Sequence, residues 1–211
     1  MIDTIATGRA TLLRLRDAAA ELHPDLTHFD QISGDGDFGD NLRAATGRIA
    51  EALEQRPDDD AYRVAADVFL DEVGGTSGPL FGLLFQSFAA ARATSVDDWV
   101  GQGLTEGTAA IQRVGEAKVG DRTLVDALVP AAAAAGAGAA ALAAADAAVD
   151  TASMRARSGR SSYVGDRAIG VPDPGAVGVA ILLWAIALES DGAELALDVR
   201  QFLPERLQAG R

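Results

Sequence analysis

The segment Gly175-Ala176-Val177-Gly178-Val179-Ala180-Ile181-Leu182-Leu183-Trp184-Ala185-Ile186-Ala187-Leu188-Glu189-Ser190 carries no charge before its last two residues. A helix that is apolar nearly all round must be covered on every side, so this segment predicts the central helix of the fold. Asp173-Pro174-Gly175 makes a rigid turn into it. Nowhere in the chain do alternating β-branched runs with hairpin turns occur, and the reading is one all-helical domain.

Working outward, Leu12, Leu13, Leu15 and Leu22 stand among charges in residues 3 to 22, an amphipathic helix that Pro24 closes off. Further helices are expected from about Asp40 to Gln55, from 61 to 72, from Ser77 or Pro79 to about Ala93, and from a Ser95 or Asp97 cap to about Arg113. The run Asp58-Asp59-Asp60 reads as a solvated loop and helix cap. Gly120-Asp121-Arg122-Thr123 introduces a sixth helix, capped by Asp121 or Thr123, with a kink expected at Pro130 and an end at Gly136 and Gly138. A seventh, rich in alanine, is expected from about 139 to 157, where high helix propensity and close packing explain the composition. The tail, 191 to 211, reads as a short extra helix or a frayed end.

Composition narrows the function. Among 211 residues there are 18 Lys and Arg against 31 Asp and Glu, a net charge of -13. That argues against non-specific nucleic-acid binding and against an anionic membrane surface, since both rest on basic patches. With no cysteine, disulfides and thiolate chemistry are excluded. His23 and His28 have no spaced zinc-ligand partners and read as surface or helix-end residues. No signal peptide is read at the start, and the run Ala131 to Ala148 is interrupted by Gly136, Gly138 and Asp146, so a cytoplasmic protein is expected.

The chemistry concentrates in Asp30-Gln31-Ile32-Ser33-Gly34-Asp35-Gly36-Asp37-Phe38-Gly39-Asp40-Asn41, which places four carboxylates within eleven residues and threads three glycines between them. Clustered carboxylates repel unless a cation sits among them, and Mg²⁺ takes oxygen ligands while keeping positions open for phosphates. Gly74-Gly75-Thr76-Ser77-Gly78-Pro79 adds two hydroxyls and a helix start suited to phosphate oxygens, without the lysine of a Walker A loop. In this acidic chain Arg155, Arg157, Arg160 and Arg167 fall within thirteen residues. Arg155 and Arg157 are accounted for as helix C-terminal charges, whereas Arg160 and Arg167 lie beyond that helix. An arginine loop facing a carboxylate-bound Mg²⁺ is the pattern that holds a polyphosphate.

These four stretches, in order, resemble the nucleotide-binding L subunit of dihydroxyacetone kinases. The resemblance rests on Gly34 to Asn41 with Asp30 before it, Gly74 to Leu80, Gly120 to Leu124 followed by Asp126, and Gly159-Arg160-Ser161-Ser162-Tyr163 through Asp173-Pro174-Gly175-Ala176. It covers about residues 5 to 190 and implies an eight-helix, antiparallel up-and-down closed barrel with the nucleotide at one end. On that resemblance 1–190 is the nucleotide-binding domain and 191–211 a C-terminal extension. Asp30, Asp35 and Asp37 are then ligands of two Mg²⁺ ions, and they act in catalysis with Arg160. Phe38, Gly39, Asp40 and Asn41, with Thr76 and Ser77, fall in the phosphate-contacting motifs. Gly115 and Leu124 border the adenine, while Arg160 and the turn Asp173, Pro174, Gly175 close over the nucleotide. Phe38 and Asp40 depart from the family pattern, which often has histidine at the first and an apolar or small residue at the second.

The implied activity is phosphoryl transfer from Mg²⁺-bound ADP/ATP to dihydroxyacetone held on a separate sugar-binding K subunit. A phosphohistidine protein of the phosphotransferase system recharges the bound ADP. The alternatives are an exchangeable-ATP kinase for dihydroxyacetone or a related ketose, a metal-dependent phosphohydrolase, and a regulatory module that binds its nucleotide structurally.

Overall fold

The computed structural model describes residues 4–94, 97–190 and 193–207. Among them there is no strand. The helices are α1 (Thr4–Glu21), α2 (His23–Ser33), α3 (Phe38–Gln55), α4 (Ala61–Glu72), α5 (Ser77–Ala93), α6 (Trp99–Gly115), α7 (Leu124–Ala132), α8 (Ala137–Asp150), α9 (Pro174–Glu189) and the single turn α10 (Val199–Phe202). From α3 to α9 each helix packs on the next, and α1 packs on both α3 and α9.

The central helix is α9: fourteen of its sixteen residues are buried, under α1, α2, α7 and α8. Its start is fixed by Pro174 in the first turn and by Asp173, whose side chain accepts the Ala176 N–H at 2.8 Å. Against it lies α8, whose buried face is Ala140, Ala141, Ala144, Ala145 and Ala148. Side chains this small let the two helix axes approach closely.

Three expectations are corrected. Residues 23–33 form a helix where a turn and loop were expected, so helices of nine residues or more number nine among the described residues rather than eight. Pro24 starts α2 instead of merely ending α1, because a fixed φ and a missing N–H suit the first turn of a helix. Leu22, Leu26 and Phe29, at helical spacing, bury the inner face of this segment. Second, α8 stops at Asp150, not near 157. The Thr151 hydroxyl donates to the Ala148 carbonyl at 2.6 Å and accepts the Asp173 N–H at 2.8 Å, turning the chain toward α9. Arg155 and Arg157 therefore lie in a loop and complement no helix end. Third, α6 is capped by Asp98, which accepts from Gly101; the Ser95 alternative lies outside the described residues.

The segment 196–200 docks on the body. Trp184 donates from Nε1 to the Ala196 carbonyl at 2.8 Å, and Arg200 bridges Glu21 (2.9 Å) and the buried Asp25 (3.1 Å). No helix among the described residues is long and apolar enough to cross a membrane.

Candidate functional site

At one end of the helices the loops after α2, α4, α6 and α8 enclose a cavity of about 200 Å³. The acidic stretch forms one wall. Asp30 sits in the last turn of α2, where its backbone carbonyl accepts the Gly34 N–H at 2.6 Å and its Oδ2 accepts the Phe38 N–H at 3.0 Å. Its carboxylate thus satisfies a free donor at the start of α3. Gly36, at φ +86°, makes the turn that an L side chain would strain.

Helical geometry sorts the residues that follow. Phe38, Asn41 and Leu42, spaced i, i+3 and i+4 on α3, line the cavity, whereas Gly39 and Asp40 face α2. Gly39 lies so close to the α2 backbone that a Cβ there would come 2.8 Å from the His23 carbonyl oxygen. Asp40 pairs with His23 at 2.8 Å and Arg43 at 3.1 Å. The His23 hydrogen bond is the largest influence holding the Asp40 carboxyl below its usual range. Gly39 and Asp40, expected among the phosphate contacts, lie outside the cavity lining and pack between α2 and α3. His23 is correspondingly more than a helix-end residue.

Opposite the acidic wall, Thr76 and Ser77 enter the cavity at the N-terminus of α5. The free N–H groups and positive dipole end of that seventeen-residue helix favour an anion. Arg160 reaches from the loop after α8 and forms an ion pair with Asp35 across the mouth. Its guanidinium lies against Gly75, where φ is +79° and a Cβ would sit 2.8 Å from Nη2. The floor is apolar: Phe38, Phe69, Phe81, Ile111 and Leu124 line it, with Gly115 at the edge and Asp173, Pro174 and Gly175 on the far wall. Gly178 lets the Phe38 and Phe81 rings seat on α9, since a Cβ there would come within 3.0 Å of both.

Oxygen-only donors suit a hard divalent cation, and Asp30 and Asp35 both line the cavity. Asp35 already draws a cation across the mouth, in the form of Arg160. Asp37 is exposed and outside the lining, and among the described residues no three His or acidic side chains converge. The donor set fits Mg²⁺ in kind, and Asp37 would have to turn inward to join it.

Arg122 had no role in the sequence reading. It is fully buried, lies at φ +61°, and donates from Nη2 to the carbonyls of Val171 (2.9 Å) and Ala168 (3.2 Å). Its Nη1 stands 4.0 Å from Asp173 Oδ2, while Nε and Nη1 have no hydrogen-bond partner. The loop that carries it is fixed by a capping box: Asp126 accepts from Gly120 (2.5 Å) and Thr123 (2.8 Å), and Thr123 caps α7. One arginine thereby ties the start of α7 to the turn that leads into α9.

Burial pushes the Asp173 carboxyl up to about 6, against the opposing pull of Arg122. The folded protein therefore holds a proton that the unfolded chain has released. This group's stabilising contribution is full below the unfolded pKa near 3.8 and is lost as pH rises through about 6. Asp173→Asn keeps a capping oxygen and removes the titration. Thermal melts from pH 4 to 7 should show the variant gaining on the wild type as pH rises, and parallel profiles would contradict this.

A family model described as the DAK2 domain matches residues 32–188. The chain is 33% identical over 169 residues to the ADP-binding subunit DhaL of PEP-dependent dihydroxyacetone kinase 1 of Listeria innocua, covering 76% of this chain and 84% of that relative. To the corresponding DhaL subunit of Escherichia coli K12 it is 32% identical over 182 residues, covering 77% and 86%. Among solved structures, the dihydroxyacetone kinase from C. freundii in complex with AMP-PNP and Mg²⁺ superposes with a TM-score of 0.65 at 26% identity. That match covers 89% of this chain and about a third (34%) of the longer kinase.

Proposed function

Because the chain belongs to the DAK2 domain family, we propose that it is the nucleotide-binding subunit of a dihydroxyacetone kinase. In this reading it presents Mg²⁺-bound ADP/ATP to dihydroxyacetone held on a partner K subunit, and its ADP is recharged by a phosphohistidine donor of the phosphotransferase system. The observation that carries it is one cavity in which an acidic loop, a helix N-terminus with two hydroxyls and an arginine face one another above an apolar floor. The ring of packed helices from α3 through α9 and α1 supports taking the body as a closed barrel with this cavity at one end.

Each part has a separate task. The apolar floor, with Gly115 and Leu124 at its edge, takes the adenine, since a flat base gains from burial against side chains such as Phe38 and Ile111. Thr76, Ser77 and the α5 N-terminus hold phosphate oxygens, and Asn41 faces them from α3. Asp30, Asp35 and Asp37 would hold up to two Mg²⁺ ions, which supply neutralisation of the phosphate charge when bound. Arg160 can exchange its pairing with Asp35 for the phosphate, where its planar donors offset charge developing during transfer. The turn Asp173, Pro174, Gly175 closes the far wall and limits water.

A second reading, in which exchangeable ATP is the donor, is favoured by the likeness to a kinase solved with AMP-PNP. The relatives named as PEP-dependent ADP-binding subunits favour the first. The experiment is a reconstitution with purified chains. With Mg²⁺ and ATP this chain alone should leave dihydroxyacetone unphosphorylated, and turnover should begin on adding a K-type subunit, with either ATP or a phosphohistidine donor. Steady phosphorylation by this chain alone, free of other kinases, would overturn the two-chain reading.

A further inference from the structure

Residues 193–207 follow α9 and pack against the body, with Val199, Phe202, Leu203 and Leu207 buried. Two contacts fix the segment on α9: Trp184 donates from Nε1 to the Ala196 carbonyl at 2.8 Å, and its ring lies 6.3 Å from that of Phe202. Arg200 is held in turn by Asp198, whose side chain accepts the Arg200 N–H at 2.7 Å. From there the guanidinium reaches the junction of α1 and α2. Nε lies 2.9 Å from Glu21 Oε1, while Nη2 donates to the Glu21 carbonyl at 2.8 Å and pairs with Asp25 Oδ2 at 3.1 Å. One side chain thus grips the last residue of α1 and the first turn of α2.

That junction is weak without it. Pro24 has no N–H to continue the backbone ladder from α1 into α2, and Leu22, at the cap of α2, makes no side-chain cap hydrogen bond. The angle between the two helices is therefore not fixed by the ladder alone. Toward α3, His23 bonds Asp40 and Gly39 lies against the α2 backbone, so α2 is held to the helix that begins at the other end of the acidic loop. Toward α1 and α9 the hold comes from Arg200. Asp25 is only 3% exposed and its Oδ1 has no hydrogen-bond partner, so Arg200 is the cation that offsets this buried charge.

We propose that Arg200 is a positioning residue for the acidic wall of the cavity, acting through α2 on Asp30. That Asp30 is a Mg²⁺ ligand rests on the proposed function; that Arg200 aims α2 rests on the contacts of Arg200 itself. Asp30 stands in the last turn of α2, about 12 Å from Leu22 along the axis at the usual helical rise. A tilt of about 5° at the junction therefore carries Asp30 by about 1 Å. Magnesium takes its ligands at nearly fixed distances, with a tolerance of about 0.2 Å, so a tilt this small is enough to spoil the site. Arg200 opposes the tilt by referring α2 to α9, the helix whose first residues, Pro174 and Gly175, stand on the far wall of the cavity. Arg200 does not line the cavity, so its effect is on placement and not on the chemistry there.

The test compares Arg200→Ala and Arg200→Lys with Arg14→Ala, which breaks the 2.7 Å ion pair between α1 and Glu189 of α9 and serves as a control for lost stability. With folding checked by circular dichroism, ADP is titrated into each chain over a range of Mg²⁺ concentrations. In Arg200→Ala the Mg²⁺ concentration that gives half of the gain in ADP affinity should rise about three- to tenfold, less than the roughly 10–100-fold that follows loss of a group bonded directly to a metal ligand. ADP affinity under chelator should match the wild type. Arg200→Lys, which keeps a cation beside Asp25, should recover most of the loss, and Arg14→Ala should lower the melting temperature while leaving the Mg²⁺ dependence unchanged. Hydrogen exchange supplies a readout without metal: the Phe38 N–H, bound to Asp30 Oδ2, should exchange faster in Arg200→Ala than in the wild type or Arg14→Ala. Wild-type Mg²⁺ dependence together with wild-type exchange at Phe38, in a folded but less stable Arg200→Ala, would make the arginine a contact of the fold alone and overturn the proposal, as would an equal shift in Arg14→Ala. If Arg200→Ala does not fold, combining it with Asp25→Asn removes the unpaired buried charge and carries the same test. If the wild type takes up no Mg²⁺-bound ADP, the proposed function has failed and exchange at Phe38 decides alone: faster exchange confined to the Arg200 variant sustains the positioning of α2, and unchanged exchange overturns it.

Discussion

Replacing Arg122 with alanine will destabilise the protein by about 3–5 kcal/mol, the scale of removing one member of a buried charge pair. The side chain is fully buried, and its loss leaves the Val171 and Ala168 carbonyls without their donor, Asp173 without its neighbouring cation, and a void beside the cavity. An opposing effect works in the other direction. Nε and Nη1 are unsatisfied and burial lowers the guanidinium pKa, so part of the cost of burying Arg122 is recovered when it goes. The orphaned carbonyls and carboxylate outweigh that recovery, because each buried unpaired group costs about 1–3 kcal/mol and a charged one more. Urea unfolding read by circular dichroism measures the change. Arg122→Lys should fall between wild type and alanine, since lysine keeps the charge but cannot span carbonyls with a planar fork. Arg122→Met combined with Asp173→Asn should recover much of the loss by removing both charges. An alanine variant with an unchanged midpoint would show that the clamp contributes nothing to the fold.

Asp35→Asn will abolish the gain in ADP affinity that Mg²⁺ confers on the wild type, a loss of at least about 100-fold at saturating metal. The estimate starts from the 10–100-fold cost of altering a group merely bonded to a metal ligand, and a direct anionic ligand should exceed it. Asp35 also pairs with Arg160, so the variant frees that guanidinium to meet phosphate directly. Affinity without metal should therefore hold or rise, which separates loss of a ligand from general damage to the site. Asp40→Asn serves as the contrast: Asp40 pairs with His23 and Arg43 outside the cavity, and its removal should leave the Mg²⁺ dependence intact. Equal Mg²⁺ dependence in wild type and Asp35→Asn would remove Asp35 from the metal site.

How much of this was legible beforehand depended on whether the deciding interaction was local. The central helix could be read because an all-round apolar surface permits only one placement, and the α4 cap because Asp60 serves a donor three residues away. The four loops at the cavity were legible because glycines, hydroxyls and carboxylates cluster there at helix junctions. By contrast, α2 was hidden by Pro24, which ends one helix pattern and begins another with equal ease. The end of α8 was set by Thr151 bonding to a residue twenty-two positions on, which no local pattern records. Asp40 was grouped with its neighbours because they are adjacent in sequence, although the rotation of successive residues about the helix axis puts Phe38 and Asn41 on the cavity face and Gly39 and Asp40 on the α2 face. Arg122 was the hardest case: an arginine in a Gly-Asp-Arg-Thr loop looks solvated until the distant segment 168–173 closes over it.

The central claim is that the cavity between the acidic loop, α5 and Arg160 holds a Mg²⁺-bound adenine nucleotide. The most direct measurement is calorimetric titration of ADP into the purified full chain, freed of any co-purifying nucleotide, with Mg²⁺ and again with excess chelator. The account predicts one ADP per chain with Mg²⁺ present, and much weaker binding under the chelator. A folded chain that takes up no ADP at millimolar concentrations with Mg²⁺, or binds it equally well under chelation, would contradict it.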